Sequence, residues 1–211
     1  MDNNSSDPEV TKGRSQAEFE STFRHRIEGA SRLLGYPQAN LQRGQPCWEN
    51  CDMSAELDAE LDAVLIGGRE MRPIVIVDYD NGWPDRFEEL ALQVKNALGN
   101  GVLSVEHIGS TAVPGLAAKP IVDMLLVVHD VTDEGAYVTP LEQEGFVLRV
   151  REPRHRMLRT IEKDVHIHVF EPESQEIKDY RDLRDWLRIN EADRDLYAAT
   201  KKSWRNSGGA T

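Results

Sequence analysis

Val105-Glu-His-Ile-Gly-Ser-Thr-Ala-Val-Pro-Gly-Leu-Ala-Ala-Lys-Pro-Ile-Val-Asp-Met-Leu-Leu-Val-Val128 is the stretch that decides the fold. Two apolar runs, 102–108 and 121–128, have the length and branched-residue content of buried strands. Gly109, Ser110, Pro114, Gly115 and Pro120 make the connection between them turn-rich. Asp123 interrupts the second run almost at its start. A charge inside a buried run costs several kcal/mol unless it is paired or bound to a metal. Three roles satisfy that demand: a divalent-metal ligand, a general base tuned by burial, or a partner for a buried Arg or His.

Outward from this hairpin, the chain alternates strands and helices. Residues 72–78 have the alternation of a strand, and Pro84 suits the first turn of a helix. Phe87, Leu90, Ala91, Val94 and Leu98 form that helix's apolar stripe, and Gly99 ends it. Residues 132–144 read as a weak helix and 146–150 as a strand. Arg151-Glu-Pro-Arg-His-Arg156 reads as an exposed basic turn, and 157–161 with 165–170 as an antiparallel pair. From Glu176 the pattern is helical to about residue 203, with a break expected near Asn190. Residues 1–14 are polar enough to be disordered, while Phe19, Phe23, Ile27 and Leu34, then Leu57, Leu61, Val64 and Leu65, have helical spacing. The expected organisation is a tail over 1–14, a helical extension over 15–70, and a domain over 71–205. The fold class expected is α+β, about five strands with packed helices.

Composition narrows the function. The 211 residues carry 25 Lys and Arg against 37 Asp and Glu, a net charge of −12. That balance disfavours non-specific nucleic-acid or anionic-membrane binding, which rest on a positive field. No apolar run approaches the roughly 20 residues of a membrane span. The start, Met-Asp-Asn-Asn-Ser-Ser-Asp, lacks the features of a signal peptide, so the expected location is the cytoplasm. Cys47 and Cys51 are too few for a structural zinc site.

His107-Ile-Gly-Ser-Thr-Ala-Val-Pro-Gly-Leu-Ala-Ala-Lys-Pro-Ile-Val-Asp123 resembles the signature of the GrpB family, a branch of the nucleotidyltransferase superfamily. Asp78-Tyr-Asp-Asn-Gly-Trp-Pro-Asp-Arg-Phe87 is similar to the opening of that domain, and Arg184-Asp-Trp-Leu-Arg188 with Tyr197 and Lys201 to its C-terminal pattern. Glu191 stands where that pattern usually has proline. The resemblance covers residues 74–204 and implies a mixed β-sheet with a nucleotidyltransferase-like core. It implies that a nucleoside triphosphate rests its phosphates on Gly109-Ser110, beside Thr111, and that the next strand presents an Asp-x-Asp/Glu pair to metal. Here the second member of the pair is Leu125, a departure common in GrpB-like sequences, which removes one carboxylate that two-metal transfer uses.

The remaining chemistry lies in His166-Ile-His168, whose imidazoles project from one face of a strand. With Asp123 they would make a divalent-metal set, with Glu106 or His107 nearby. Lys119 at the end of the connection offers a point charge for an anion, and Arg149, Arg151, Arg154 and Arg156 concentrate positive charge. Arg184, Arg188, Tyr197 and Lys201 would line the same cleft, although Arg184 and Arg188 also fit one solvated helix face. The function expected is nucleotidyl transfer from a nucleoside triphosphate to a small polar acceptor, with a divalent Mg, Mn or Zn ion. Other acid–base chemistry on a small metabolite, or a non-catalytic nucleotide- or coenzyme-A-type module, fits the same residues. GrpB-like domains fused to dephospho-coenzyme-A kinase make such an accessory role a reading of its own.

Overall fold

The structure, a computed structural model, describes residues 62–70 and 75–206. The expectations for residues 1–61, including the tail, the first helix, most of the second and both cysteines, lie outside the described residues. From residue 83 the elements run α1 (Trp83–Leu98), β1 (Val102–Ile108), β2 (Val122–Val128), α2 (Val138–Gln143), β3 (Phe146–Glu152), β4 (His155–Thr160), β5 (Val165–Phe170), α3 (Gln175–Ile189) and α4 (Glu191–Asn206). The strands form one five-stranded sheet in the order β1-β2-β5-β4-β3. β1 and β2 are antiparallel, β2 and β5 are parallel, and β5, β4 and β3 continue antiparallel. The sheet is therefore mixed, as the sequence implies.

Strand alternation sorts the sheet into two faces. On one, Met124, Leu126 and Val128 of β2 join Val165, Ile167 and Val169 of β5 against Phe87, Leu90 and Val94 of α1 and Leu141 of α2. On the other, Leu125 and Val127 of β2, Ile108 of β1 and Phe170 of β5 pack against Ile177 and Tyr180 of α3. Apolar burial on both sides accounts for the near-continuous hydrophobic run of β2. α1 begins with proline in its first turn and ends at Gly99, whose φ of 53° suits a residue without Cβ. Between α3 and α4 the chain breaks at Asn190, whose side-chain oxygen accepts from the Asp193 N–H at 3.1 Å. That cap supplies a helix start without the proline of the family pattern.

Three segments differ from the sequence expectation. Residues 75–80 hold no extended strand; Val77 makes an isolated bridge to Ala118, with two backbone bonds of 2.9 Å. Residues 132–144 divide into a 3-10 turn, Glu134–Ala136, and the short α2. The basic turn shrinks because β3 runs to Glu152 and β4 starts at His155, so His155 and Arg156 are buried. Arg156 pairs with Glu134 at 2.5 Å, which also takes the exposed Arg151, so both charges are already paired within the fold. No helix of the described residues is long and apolar enough to cross a membrane.

His107 corrects a site expectation. It pairs with Met124 and so faces α1, where its ring stacks on Phe87 at 4.8 Å and 7°. The Thr111 hydroxyl spends its proton on the Ile121 carbonyl at 3.0 Å, so His107 Nε2 donates to Thr111 Oγ1 at 3.0 Å. Both residues are buried and bonded to the scaffold. Burial lowers the His107 pKa to about 4, aided by Arg188 and Arg184 and opposed by Asp123. Folded His107 thus stays neutral while the unfolded chain takes up its proton near pH 6.5. Its contribution is complete above that pH and is lost as pH falls toward 4. Denaturant midpoints measured between pH 7 and 4 are expected to fall less steeply for His107→Gln, by up to about 3 kcal/mol over the range.

Candidate functional site

The parallel junction of β2 and β5 builds the site. In that register Asp123 pairs with His166 and Leu125 with His168, so acid and imidazoles emerge side by side on the α3 face. Asp123 Oδ1 lies 3.3 Å from His166 Nδ1 and 3.9 Å from His168 Nε2. Their ligand atoms all fall within 4.8 Å of one another. Asp123 Oδ1 and His168 Nε2 are buried and have no hydrogen-bond partner. Burial alone would raise the Asp123 pKa, but the two imidazoles outweigh it and hold the carboxyl well below the usual range. Burial lowers His168 to about 4 against the attraction of Asp123, leaving a neutral ring with a lone pair for a ligand.

Gly109 shapes the other side. Its φ of 70° and ψ of −169° belong to a region used almost only by glycine. A Cβ there would stand 2.5 Å from Asp123 Oδ2 and 3.0 Å from Asp123 Cβ, so the missing side chain lets the turn close on the carboxylate. Ser110 follows, and Lys201 reaches it from α4, donating to Ser110 Oγ at 2.7 Å and to the Ala117 carbonyl at 3.2 Å. Burial lowers Lys201 to about 8; Asp123 opposes that shift and Lys119 adds to it. The Lys201 ammonium stands 5.2 Å from the Tyr197 ring centre. Burial raises the Tyr197 pKa, and a hydrogen bond with Ser110 opposes it. Asp123, His166, His168, Gly109, Ser110, Tyr197 and Lys201 thus surround one polar centre, with the half-buried Lys119 at its margin.

Other expected site residues serve the scaffold. Glu106 pairs with Arg181 and with Arg184 at 3.2 Å, and is not in the cluster around Asp123. Burial would raise its pKa, yet the two guanidinium groups bring it below the ordinary value. Arg184 also bonds the His107 carbonyl at 3.1 Å, and Arg188 clamps the Ala112 carbonyl at 3.0 and 2.9 Å. These arginines dock α3 onto the Gly109–Ala112 turn instead of waiting for substrate. Arg149 is buried and bonds the carbonyls of Ile66 and Gly68, fastening that segment to β3.

Sequence reading missed three residues: Glu152, His155 and Tyr180. His155 looked like part of a solvated basic turn, but its parity with Met157, the partner of His168, puts it on the site face. Burial raises the Tyr180 pKa, helped by the Asp123 charge, and the hydroxyl is buried without a partner. Its place in the apolar stripe of α3 gave no hint of a polar role.

Fold and site together define an α+β domain whose polar centre lies where a glycine-made turn meets a parallel strand pair. The chain belongs to the GrpB family: the family model described as GrpB protein matches residues 73–210. A UPF0157 protein of Halalkalibacterium halodurans is 43% identical over 74% of this chain and 83% of its own length. One from Streptomyces coelicolor is 46% identical over 66% of this chain and 74% of its own. The crystal structure of the conserved protein GrpB from Enterococcus faecalis matches at a TM-score of 0.57 with 33% identity, covering 63% of this chain and 84% of that one.

Substituting Gly109→Ala tests the close approach. Left-handed strain of about 1–3 kcal/mol adds to displacement of the Asp123 carboxylate. The denaturation midpoint is expected to drop, and wild-type stability would refute the clash at 2.5 Å.

Proposed function

We propose that the chain is a divalent-metal-dependent enzyme of nucleotidyl-transfer type acting on a small polar acceptor. The observation that carries this reading is the convergence of Asp123, His166 and His168 on one point, with Asp123 Oδ1 and His168 Nε2 buried and unpartnered beside it. Buried polar atoms are nearly always satisfied, and an acid facing an imidazole lone pair suits a cation. Asp123, His166 and His168 would hold that ion, which when bound supplies positive charge to phosphoryl oxygens.

The chain's own residues do the rest. Gly109 leaves room for an anion to approach the backbone, and Ser110 offers a hydroxyl. Lys201 stays largely protonated at neutral pH with its pKa near 8, and would neutralise phosphate charge from beside Ser110. The Tyr197 ring centre lies 5.2 Å from the Lys201 ammonium and favours its charge. In the transfer, an acceptor oxygen bonds the α-phosphorus and the α–β bridging bond breaks. Pyrophosphate leaves, and the acceptor's proton goes to water. Positioning and charge neutralisation would provide most of the rate.

Leu125 favours a second reading. It is fully buried among Ile108, Val127, Phe170 and α3, where the strand's second carboxylate would otherwise stand. With one carboxylate the pocket would hold one ion, and it would then bind a nucleotide without transfer.

The two readings separate experimentally. Wild-type protein is expected to bind one divalent ion in calorimetry with Mn or Zn, and Asp123→Asn or His166→Ala to weaken it at least tenfold. Nucleoside triphosphates should raise the melting temperature in the presence of that ion, less so for Lys201→Met. Pyrophosphate release across a panel of acceptors supports transfer; nucleotide binding without it supports the silent pocket. Identical metal heats for wild type and both ligand variants would refute the metal centre.

A further inference from the structure

A chain of hydrogen bonds behind His168 reveals a further role, resting on the metal reading of Asp123, His166 and His168. Glu152 Oε2 lies 2.7 Å from His155 Nδ1, and His155 Nε2 lies 3.1 Å from His168 Nδ1. A glutamate carboxylate is ionised at neutral pH and only accepts, so the proton between Glu152 and His155 belongs to Nδ1. A neutral imidazole has one N–H. In the neutral form of His155, Nε2 accepts and His168 Nδ1 is the donor facing it. That leaves His168 Nε2 as a bare lone pair, 3.9 Å from the equally unpartnered Asp123 Oδ1.

Packing prevents this arrangement from drifting. His155 is 5% exposed, and its ring stacks on Phe170 at 4.6 Å and 13°. Glu152 and His155 close the β3–β4 hairpin as a strand pair, so the acid is held by the backbone that positions the imidazole. The opposite polarity would place a proton on His168 Nε2, where a metal has to sit.

We propose that Glu152 and His155 are positioning residues that hold His168 as the Nδ1–H tautomer and aim its Nε2 lone pair at a transition ion beside Asp123. Imidazole donors favour zinc, iron or nickel over magnesium, which prefers oxygen and retains its waters. The site therefore takes a nitrogen-preferring divalent ion. Outer partners of this type commonly contribute 10–100-fold in metal affinity.

The tautomer is read without any metal, by long-range 1H–15N NMR on the full chain labelled with 15N-histidine at pH 7. His168 is expected to carry its proton on Nδ1. In Glu152→Gln the amide can donate to His155 Nδ1, which allows the chain to reverse. The His168 spectrum should then shift toward the Nε2–H form, and Zn2+ affinity by competition calorimetry should fall about 10–100-fold. Mg2+ at millimolar excess should not displace Zn2+ from wild type. A wild-type His168 protonated on Nε2, or a folded Glu152→Gln with unchanged tautomer and affinity, overturns the proposal. The wild-type spectrum decides even if the variant does not fold. Absence of Zn2+ binding by a wild type whose His168 Nε2 is bare overturns the metal reading instead, and leaves the tautomer assignment standing.

Discussion

The parallel pairing of β2 with β5 is the constraint on which the rest of the molecule depends. Its register sets Asp123 against His166 and Leu125 against His168. Side chains alternate along each strand, so a slip of one residue would send the acid or the imidazoles to the other face. The alternative is strongly opposed: Met124, Leu126, Ile167 and Val169 are fully buried beneath α1 and α2, and a shifted register would put the acid and imidazoles into that apolar layer in their place. Hydrophobic burial on one face thus fixes the geometry of polar groups on the other. The polar cluster need not stabilise the fold to be held in place by it.

Charged side chains connect the C-terminal helices to this frame. Glu106 on β1 meets Arg181 and Arg184 of α3, Arg188 takes the Ala112 carbonyl, and Lys201 of α4 takes Ser110 and Ala117. Each bond ends at β1 or in the segment that follows it, so the docked helices hold the turn beside Asp123. Surface ion pairs commonly contribute little to stability. Here Arg184 is only 12% exposed and its bonds go to both a carboxylate and a backbone carbonyl. Losing it would remove one partner from the half-buried Glu106 and one from the His107 carbonyl, a cost larger than that of a solvated pair. The basic residues that look free to receive a substrate are mostly committed to assembling the place where one would bind.

The strands around Asp123 were legible because length, branched residues and bounding turns all agreed. The same-face projection of His166 and His168 followed from strand periodicity alone. That they meet Asp123 did not follow: it depends on β5 being the parallel neighbour of β2, a non-local pairing which leaves no mark in either segment. His155 was hidden for a related reason. Surrounded by Arg151, Arg154 and Arg156, it reads as solvent-facing, yet Glu152 pairs with His155 and Glu134 with Arg156, and these two are buried while Arg151 and Arg154 stay exposed. Glu106 and His107, adjacent on β1, point to opposite faces, and each meets a scaffold partner there. Proximity in sequence to Gly109 was a poor guide to proximity in space.

Leu125 bears on the kind of chemistry the scaffold can support. A second carboxylate at this position would lie in the cluster of Ile108, Val127, Phe170, Ile177 and Tyr180, all buried. An uncompensated charge there costs about 3–5 kcal/mol, so packing of α3 and a second acid exclude one another unless a second cation is present. The neighbouring strand instead contributes nitrogen from His166 and His168; the His168 ring stacks on His155, and burial suppresses its charge. Exchanging an anionic oxygen for imidazole nitrogen lowers the negative charge of the centre. Under the proposed metal reading, a site so altered would discriminate against hard cations that rely on carboxylate charge and toward ions that bond nitrogen well. The apolar packing of α3 and the imidazole character of the centre are therefore two consequences of one choice at one position of β2.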